Sequence, residues 1–210
     1  MRCVVVAASR ELDIEYIRNN IRENDYVIGA DAGFEKLNRL NIKPNLVVGD
    51  LDSYSGEIPS DIEIIKLPVC KDDTDTFYAI KEGIKRGCDS FVILGGFGGR
   101  FDHTFANLCI LEYLSDKGYS NLLIDKSNKA FIMGEGEKVI YGTRGENVSV
   151  FPFGTDYCTV SYKNLMYNMH EKTLYSNISS GPMGVSNSFL GNEATIIVHS
   201  GKALIIISKD

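Results

Sequence analysis

The feature that most constrains the fold is an alternation between short apolar runs and helical stripes over the first 125 residues. Strand-like runs occur at residues 3–8, 26–28, 46–48, 62–65, 91–94 and 122–124. Between them, apolar residues recur at helical spacing over residues 14–21, 34–40, 77–84 and 101–111. This alternation predicts an α/β domain, with a mostly parallel sheet and helices on its faces in an α/β/α arrangement.

The pattern changes near residue 128, where helical periodicity fades. Short apolar or alternating runs, separated by Gly, Asn, Ser and Pro, follow at residues 130–133, 148–151, 157–162, 195–198 and 203–207. Such runs predict an antiparallel β unit, either a sandwich or a barrel. We therefore expect an α/β domain over residues 1–127 and a smaller β domain over residues 128–210.

Composition excludes several classes of protein. Among 210 residues, 22 Lys and Arg face 28 Asp and Glu, so the net charge of −6 gives no general attraction to nucleic acid or anionic membrane. The longest early apolar run, residues 3–8, is too short for a signal peptide or a membrane span. Five cysteines without a CxxC pair favour reduced thiols and a cytoplasmic protein. A phosphate ligand would therefore need local basic residues or a metal.

Acidic residues follow three of the predicted strands. Asp31 follows the second strand, Asp50 and Asp52 follow the third, and Asp102 follows the fifth. Ligands of open α/β sheets bind beyond the carboxyl ends of the strands. We therefore expect these clusters to meet at one edge of the sheet.

The sharpest of these clusters is the pair Asp50 and Asp52 in the sequence GDLDS. In an extended segment, residues two apart point the same way, so that both carboxylates could hold one hard cation such as Mg²⁺. Without a cation the carboxylates would repel each other, and the pKa of one of them would rise. The alternative is a simple turn, because Gly, Asp and Ser are turn-forming residues.

A second acidic segment, KDDTD, precedes a predicted helix. Its carboxylates, Asp72, Asp73 and Asp75, stand beside Lys71 and Thr74. One interpretation is helix capping, in which an Asp or Thr side chain accepts from free N–H groups. A cap explains one or two of the acids, whereas metal or phosphate binding would use the whole set.

A glycine-rich loop, GGFGGRFDH, links the fifth strand to the next helix. Glycines let backbone N–H groups approach a phosphate, and a helix N-terminus favours its negative charge. Arg100 adds bidentate donors for phosphate oxygens, and His103 lies close by. The loop is neither a Walker A nor a GxGxxG motif. The alternative is a tight turn with Asp102 as the N-cap of the helix.

Taken together, these motifs resemble the thiamine pyrophosphokinase (thiamine diphosphokinase) family. The matching segments span nearly the whole chain in the family's order: ADAG at 30–33, PNLVVGDLDS at 44–53, KDDTD at 71–75, GGRFDHT at 98–104, Asn107, Ser186 with Asn187, and the closing run 201–207. Alone, the segment around Ser186 predicts only a polar loop. Two departures are Phe77, where many bacterial members have a glutamate, and the absence of tryptophan for stacking on thiamine.

The resemblance implies an N-terminal α/β domain joined to a smaller C-terminal antiparallel β-sandwich. It implies a homodimer that binds thiamine where the two subunits meet. In the implied reaction the thiamine hydroxyl attacks the β-phosphorus of ATP, a diphosphoryl group moves, and AMP leaves. The implied cofactor is Mg²⁺, which clamps the polyphosphate. Neither nucleic acid nor a membrane is an implied partner.

The resemblance also implies a role for each matching residue. Asp50, Asp52 and Asp75 are implied catalytic magnesium ligands, with Asp72 as a further candidate. Asp31 stands where the family has an acid near the thiamine hydroxyl, either as a base or as an orienting group. Implied ATP contacts, on the phosphates and on the nucleotide side, are Lys71, Thr74, Arg100, Asp102, His103 and Asn107. Ser186 and Asn187 resemble the thiamine pocket of the β domain, reaching across the dimer.

Three other functions stay open at this point. A related hydroxymethyl heterocycle, such as a pterin, could be the acceptor in place of thiamine. A protein that only binds thiamine or its diphosphate would use the same pocket, although it has no need for so many carboxylates. A dinucleotide-dependent oxidoreductase is disfavoured, because the glycine fingerprint after the first strand is missing.

Overall fold

The computed structural model describes residues 1–9, 13–51, 54, 58–68, 70, 72–177, 179–180 and 184–209. The chain divides into two compact units. The first comprises Met1–Ile110 and Tyr119–Lys126, and the second comprises Leu111–Gly118 and Ser127–Asp210. The domain boundary expected between residues 127 and 128 stays a prediction.

The first unit alternates strands with helices, as the sequence pattern predicts. Its elements are β1 (Arg2–Val6), α1 (Ile14–Asn20), β2 (Tyr26–Ala30), α2 (Gly33–Arg39), β3 (Leu46–Gly49), β4 (Glu63–Lys66), α3 (Asp75–Lys85), β5 (Ser90–Leu94), α4 (Phe101–Asp116) and β6 (Ser120–Ile124). The later part of α4 belongs to the second unit. Within the described residues, no helix is long and apolar enough to cross a membrane.

The strands of the first unit form a parallel sheet in the order β6-β5-β1-β2-β3-β4. β1 is central, because Val4 pairs with Val27 of β2 on one side and with Val92 of β5 on the other. Every residue of β1 after Arg2 is buried. Burial on both faces explains why this strand is a continuous apolar run rather than an alternating one. The predicted mostly parallel sheet is confirmed.

Helices cover both faces of this sheet. Val4 of β1 packs with Ile17 of α1 and Leu37 of α2 on one face. Neighbouring residues of a strand point to opposite faces, so Cys3 belongs to the other face. A Cβ added at Gly83 of α3 would lie 3.0 Å from the Sγ of Cys3, so α3 packs closely on that face. The predicted α/β/α layering is therefore present in this unit.

The second unit is built from antiparallel strands. They are β7 (Asn128–Met133), β8 (Gly136–Tyr141), β9 (Asn147–Pro152), β10 (Tyr157–Lys163), β11 (Met169–Tyr175), β12 (Gly184–Ser188), β13 (Glu193–Gly201) and β14 (Ala203–Ser208). β12, β9, β14 and β7 lie side by side in that order, and β11, β10, β13 and β8 form a separate sheet. Val150, Val160 and Ile205 from both layers share one buried core. Two layers around one core make a β-sandwich, so the barrel alternative is wrong.

Three strands of the second unit are not evident from the apolar pattern. In β8 only Ile140 is buried, and in β11 only Leu174 is buried. A strand with one buried side chain leaves almost no apolar periodicity in the sequence. The polar loop predicted around Ser186 and Asn187 is wrong, because both residues belong to β12. This strand pairs with β9 through a register shift that follows Gly184.

Gly33, the first residue of α2, packs against the main chain of β1. A Cβ at this position would lie 1.8 Å from the carbonyl oxygen of Val6. In an unobstructed helix, replacing Gly by Ala stabilises by about 1 kcal/mol. Here the added methyl group must displace backbone atoms. We predict that Gly33→Ala lowers the free energy of unfolding by about 2 kcal/mol or more, which shifts Tm down by about 4–8 °C.

The matched control is Gly134→Ala, since a Cβ there meets no atom within 4 Å. Its effect should stay within about 0.5 kcal/mol. Thermal unfolding followed by circular dichroism measures both variants. Equal midpoints for the two variants would mean that α2 does not depend on this close approach to β1.

Candidate active site

A cavity of about 1030 Å³ lies beyond the carboxyl ends of the parallel strands in the first unit. The strand order reverses between β1 and β5, and such a switch point is where open α/β sheets bind ligands. The cavity is lined by the loops that follow β1, β2, β3 and β5 and by the first turns of α3 and α4. Its polar side chains are Ser9, Asp31, Asp50, Asp73, Thr74, Asp75, Thr76, Arg100, His103 and Asn107.

The cavity brings together seven of the residues that the sequence singles out, namely Asp31, Asp50, Thr74, Asp75, Arg100, His103 and Asn107. Asp72 and Asp102 do not line it. Asp52 and Lys71 lie outside the described residues. Ser186 and Asn187 belong to the second unit. Acids that follow different strands, Asp31 and Asp50, thus occupy one cavity.

Asp31 is held at the end of β2 in the left-handed backbone region, with a φ of 51°. Its N–H donates to the Val48 carbonyl at 2.9 Å, and its carbonyl accepts from the Phe34 N–H at 3.0 Å. These bonds tie the residue to β3 on one side and to α2 on the other. A positive φ costs a residue with a Cβ about 1–2 kcal/mol, and Asp tolerates it better than most. Backbone strain of this kind clusters at functional sites.

Asp50 and Asp75 supply carboxylates that fit a magnesium ion. Asp50 follows β3, Asp75 begins α3, and both are half-buried in the cavity lining. Mg²⁺ takes one or two protein carboxylates and completes its shell with water and phosphate oxygens. Within the described residues, which lack Asp52, no group of three or more His, Cys, Asp or Glu side chains converges as a metal site. The carboxylates of Asp50 and Asp75, together with oxygens from water and phosphate, are a donor set that suits Mg²⁺.

Thr74 is the N-cap of α3. Its Oγ1 accepts from the Phe77 N–H at 3.1 Å, so Thr74 carries the capping role considered for this segment. The hydroxyl hydrogen can still donate, and Thr74 lines the cavity. Asp75, in the first turn, is favoured there by the helix dipole.

Three polar residues of the cavity, Ser9, Asp73 and Thr76, received no individual role from the sequence. Asp73 lines the cavity and pairs with Lys81 at 2.6 Å, whereas Asp72 is exposed. The sequence does not distinguish two adjacent carboxylates, because the start of α3 decides which of them faces inward. Ser9 also lines the cavity. It follows the first strand directly, so the rule that indicated Asp31 would also have indicated Ser9.

The glycine-rich loop presents its main chain to the cavity. Gly98 and Gly99 have φ values of 82° and 65°, which residues with a Cβ rarely adopt. The Gly96 carbonyl accepts from Asn107 Nδ2 at 2.9 Å, and this amide is buried. Asn107 therefore fixes the loop to α4. Because α4 begins at Phe101, the loop ends at a helix N-terminus, where the dipole favours an anion.

Arg100 lines the cavity and is held by Asp102. Nε of Arg100 donates to Oδ1 of Asp102 at 3.1 Å, and Nη2 donates to Oδ2. The guanidinium holds the pKa of Asp102 below its usual range. Asp102 lies inside α4, where its Oδ1 accepts from the His103 N–H at 3.0 Å, so the alternative of Asp102 as N-cap is wrong. Asp102 instead orients Arg100.

Ser186 and Asn187 of the second unit differ in exposure. Asn187 is buried, and its Oδ1 accepts from the Tyr167 N–H at 2.9 Å while Nδ2 donates to the Tyr167 carbonyl at 2.7 Å. Ser186 is exposed, with a φ of 57°, and its N–H donates to Ser149 Oγ at 3.0 Å. Asn187 therefore holds the segment around Tyr167 against β12, and Ser186 stands at the surface.

Comparison with known proteins finds similar chains along the whole sequence. The family model described as "Thiamin pyrophosphokinase, catalytic domain" matches residues 17–123. Thiamine pyrophosphokinase of Bacillus subtilis (strain 168) is 26% identical over 195 residues, which cover 90% of this chain and 89% of the relative. The solved structure of thiamine pyrophosphokinase from Bacillus subtilis has a TM-score of 0.88 at 23% identity, with both chains fully covered. A thiamin pyrophosphokinase family protein from Enterococcus faecalis has a TM-score of 0.81 at 26% identity, again with full coverage of both.

The cap at the cavity wall can be tested by changing Thr74. Thr74→Ala removes the acceptor for the Phe77 N–H, and we expect a loss of about 1 kcal/mol in the free energy of unfolding. Thr74→Ser keeps the hydroxyl and should lose much less. Urea unfolding measures both variants, and equal losses for Ala and Ser would mean that the hydroxyl does not cap α3.

Proposed function

Because the chain belongs to the thiamin pyrophosphokinase family, we propose that it transfers the diphosphoryl group of ATP to the hydroxyl group of thiamine. The products are thiamine diphosphate and AMP. The observation that carries the proposal is one cavity that combines a glycine-rich loop, an arginine and several carboxylates. Its acidic side chains and Arg100 all fall within the segment, residues 17–123, that matches the family.

The phosphates of ATP are proposed to bind along the glycine-rich loop. The loop offers backbone N–H groups at Gly98 and Gly99, and it ends at the N-terminus of α4. Arg100 adds a planar donor group that suits phosphate oxygens. Thr74 can donate its hydroxyl hydrogen from the start of α3. Lys71, which lies outside the described residues, stays a predicted phosphate contact.

Mg²⁺ is proposed to be held by Asp50 and Asp75, with Asp52 as a further predicted ligand. When bound, this ion supplies neutralisation of the polyphosphate charge and stabilisation of the leaving oxygen. The ion also explains how an acidic chain binds an anion, because it reverses the local sign of charge. Asp72 is exposed and does not line the cavity, and it stays a further predicted magnesium ligand.

Asp31 is proposed to act on the thiamine hydroxyl. The hydroxyl oxygen forms a bond to the β-phosphorus, and the bond between that phosphorus and the oxygen bridging to the α-phosphorus breaks. AMP leaves with the bridging oxygen, and the hydroxyl proton passes to the Asp31 carboxylate, which orients the hydroxyl and acts as the base. The backbone bonds that fix Asp31 in the left-handed region keep this carboxylate at one place in the cavity.

Three further parts of the proposal concern the assembly, the thiamine contacts of the second unit and the location of the protein. The homodimer, with its active site at the subunit interface, and the thiamine contacts of Ser186 and Asn187 rest on the family resemblance. A molecular mass in solution equal to that of a single chain would contradict the dimer. A cytoplasmic location is supported by the five cysteines, all of them within the described residues and all free thiols.

The reaction can be tested directly. Purified protein with ATP, Mg²⁺ and thiamine should yield thiamine diphosphate and AMP in equal amounts, as read by mass spectrometry. ADP with thiamine monophosphate would mean that a single phosphoryl group moves, and the proposed mechanism would be wrong. Thiamine binding without product would indicate a binder. If neither product nor thiamine binding is detected, other hydroxymethyl heterocycles should be assayed as acceptors.

The proposed metal ligands can be tested with charge-removing variants. Asp50→Asn and Asp75→Asn should each lower kcat at saturating ATP by at least about 100-fold, because the charge on the transferred phosphates is less well neutralised. Tm should change little. Asp61→Asn is the control, since Asp61 is an exposed carboxylate that pairs with Lys43 at 2.5 Å outside the cavity. Full activity of either cavity variant at saturating Mg²⁺ would exclude that residue as a ligand.

A further inference from the structure

Lys36 of α2 makes an unusual set of bonds for a lysine. Its side chain is half-buried, and Nζ donates to the Ala7 carbonyl at 3.1 Å and also to the Ser9 carbonyl. Both acceptors belong to segment 7–9, which follows β1 and lines the cavity. The ammonium group therefore hydrogen-bonds two main-chain carbonyls of one short segment.

Segment 7–9 is bonded on its other side to the strand that precedes the glycine-rich loop. The Ala7 N–H donates to the Leu94 carbonyl at 2.8 Å, and the Ser9 N–H donates to the Gly95 carbonyl at 3.3 Å. The segment thus lies between Lys36 and the start of the loop proposed to bind phosphate. Its carbonyls face the lysine, and its N–H groups face β5 and Gly95.

Lys36 also belongs to the helix, α2, that is hydrogen-bonded to Asp31. The Phe34 N–H in the first turn of α2 donates to the Asp31 carbonyl at 3.0 Å. Burial lowers the pKa of Lys36 to about 8, and the charges of Glu35 and Asp31 oppose this decrease. At pH 7 the side chain is therefore an ammonium ion with three N–H donors, and its charge lies near that of Asp31.

We propose that Lys36 is a positioning residue of the cavity. Its ammonium group fixes segment 7–9 to α2, and so holds Asp31 and the glycine-rich loop at a set separation. The expected effect of Lys36 on catalysis rests on the proposed function, whereas its role in fixing segment 7–9 does not. Lys36 needs no contact with substrate to act in this way.

An apolar side chain of the same length would pack in the same space at lower desolvation cost. Burying an ammonium group is unfavourable unless it is hydrogen-bonded. The two carbonyls of segment 7–9 provide that compensation, and without Lys36 each of them would lose one hydrogen bond. The hydrogen bonds to this segment therefore account for a lysine at a half-buried position. The substitution Lys36→Met keeps an unbranched side chain for packing but removes the hydrogen bonds.

The first test measures amide hydrogen exchange by NMR in Lys36→Met. The amides of Ala7 and Ser9 should exchange at least about tenfold faster, relative to a core amide such as that of Ile93. Scaling to Ile93 removes any general loss of stability. Arg39→Met is the matched control, because Arg39 is an exposed cation of the same helix and pairs with Glu35 on its solvent-facing side. Unchanged relative exchange at Ala7 and Ser9 in Lys36→Met would overturn the proposal.

The second test measures steady-state kinetics in the thiamine diphosphokinase assay. Lys36→Met should lower kcat/KM by about 10- to 100-fold, since small misplacements of a site have effects of this size. Lys36→Arg should restore most of the loss, because a guanidinium also donates to two carbonyls. Arg39→Met should keep the wild-type value. Equal kcat/KM for Lys36→Met and the wild type would contradict the positioning role, whereas an inactive wild-type protein would contradict the proposed function and leave the exchange test to decide on Lys36.

Discussion

The pairing of β1 on both of its edges is the constraint on which the rest of the first unit depends. With β2 on one side and β5 on the other, the sheet grows outward from β1 in two directions. The crossover connections must then leave a gap between diverging loops at the carboxyl end of the central strands. The cavity occupies this gap. Its walls come from parts of the chain as distant in sequence as Ala7 and Asn107, which the topology of the sheet brings together.

The electrostatics of the cavity follow from this meeting of loops. Four carboxylates line it in a chain with a net charge of −6, yet the proposed ligand is a polyphosphate. Positive potential comes from sources that leave no mark in the net charge: two helix N-termini, the N–H groups of the glycine-rich loop and, in the proposed function, Mg²⁺. The guanidinium of Arg100, which lines the cavity, already pairs with Asp102, and this pair holds it in place before a ligand arrives.

Much of the fold could be predicted from the sequence where burial is two-sided. After their first residues, Arg2 and Ser90, β1 and β5 are apolar and buried, so the local pattern agrees with the tertiary environment. β8 and β11 each bury one side chain, Ile140 or Leu174, and their pattern is set by solvent rather than by the core. Asp31 and Asp50, which follow strands, could be assigned to the cavity from the sequence. Ligands bind beyond the carboxyl ends of strands in open α/β sheets, and this prediction requires only the class of sheet. The choice of Asp73 over Asp72 and the role of Lys36 could not, since both depend on where a helix begins and on main-chain contacts without a sequence period.

The central position of β1 also has a consequence for the order in which the chain is made. Cys3 can pair with Tyr26 soon after both are synthesised, but its partner on the other edge, Phe91, follows only after three helices and three further strands. At a synthesis rate of about 5–20 residues per second, the second edge of β1 stays unpaired for several seconds before β5 is made. An unpaired apolar edge can be bound by another chain during that time. A chaperone that covers this edge, or dilution from neighbouring chains, would prevent such pairing until β5 emerges and closes the edge.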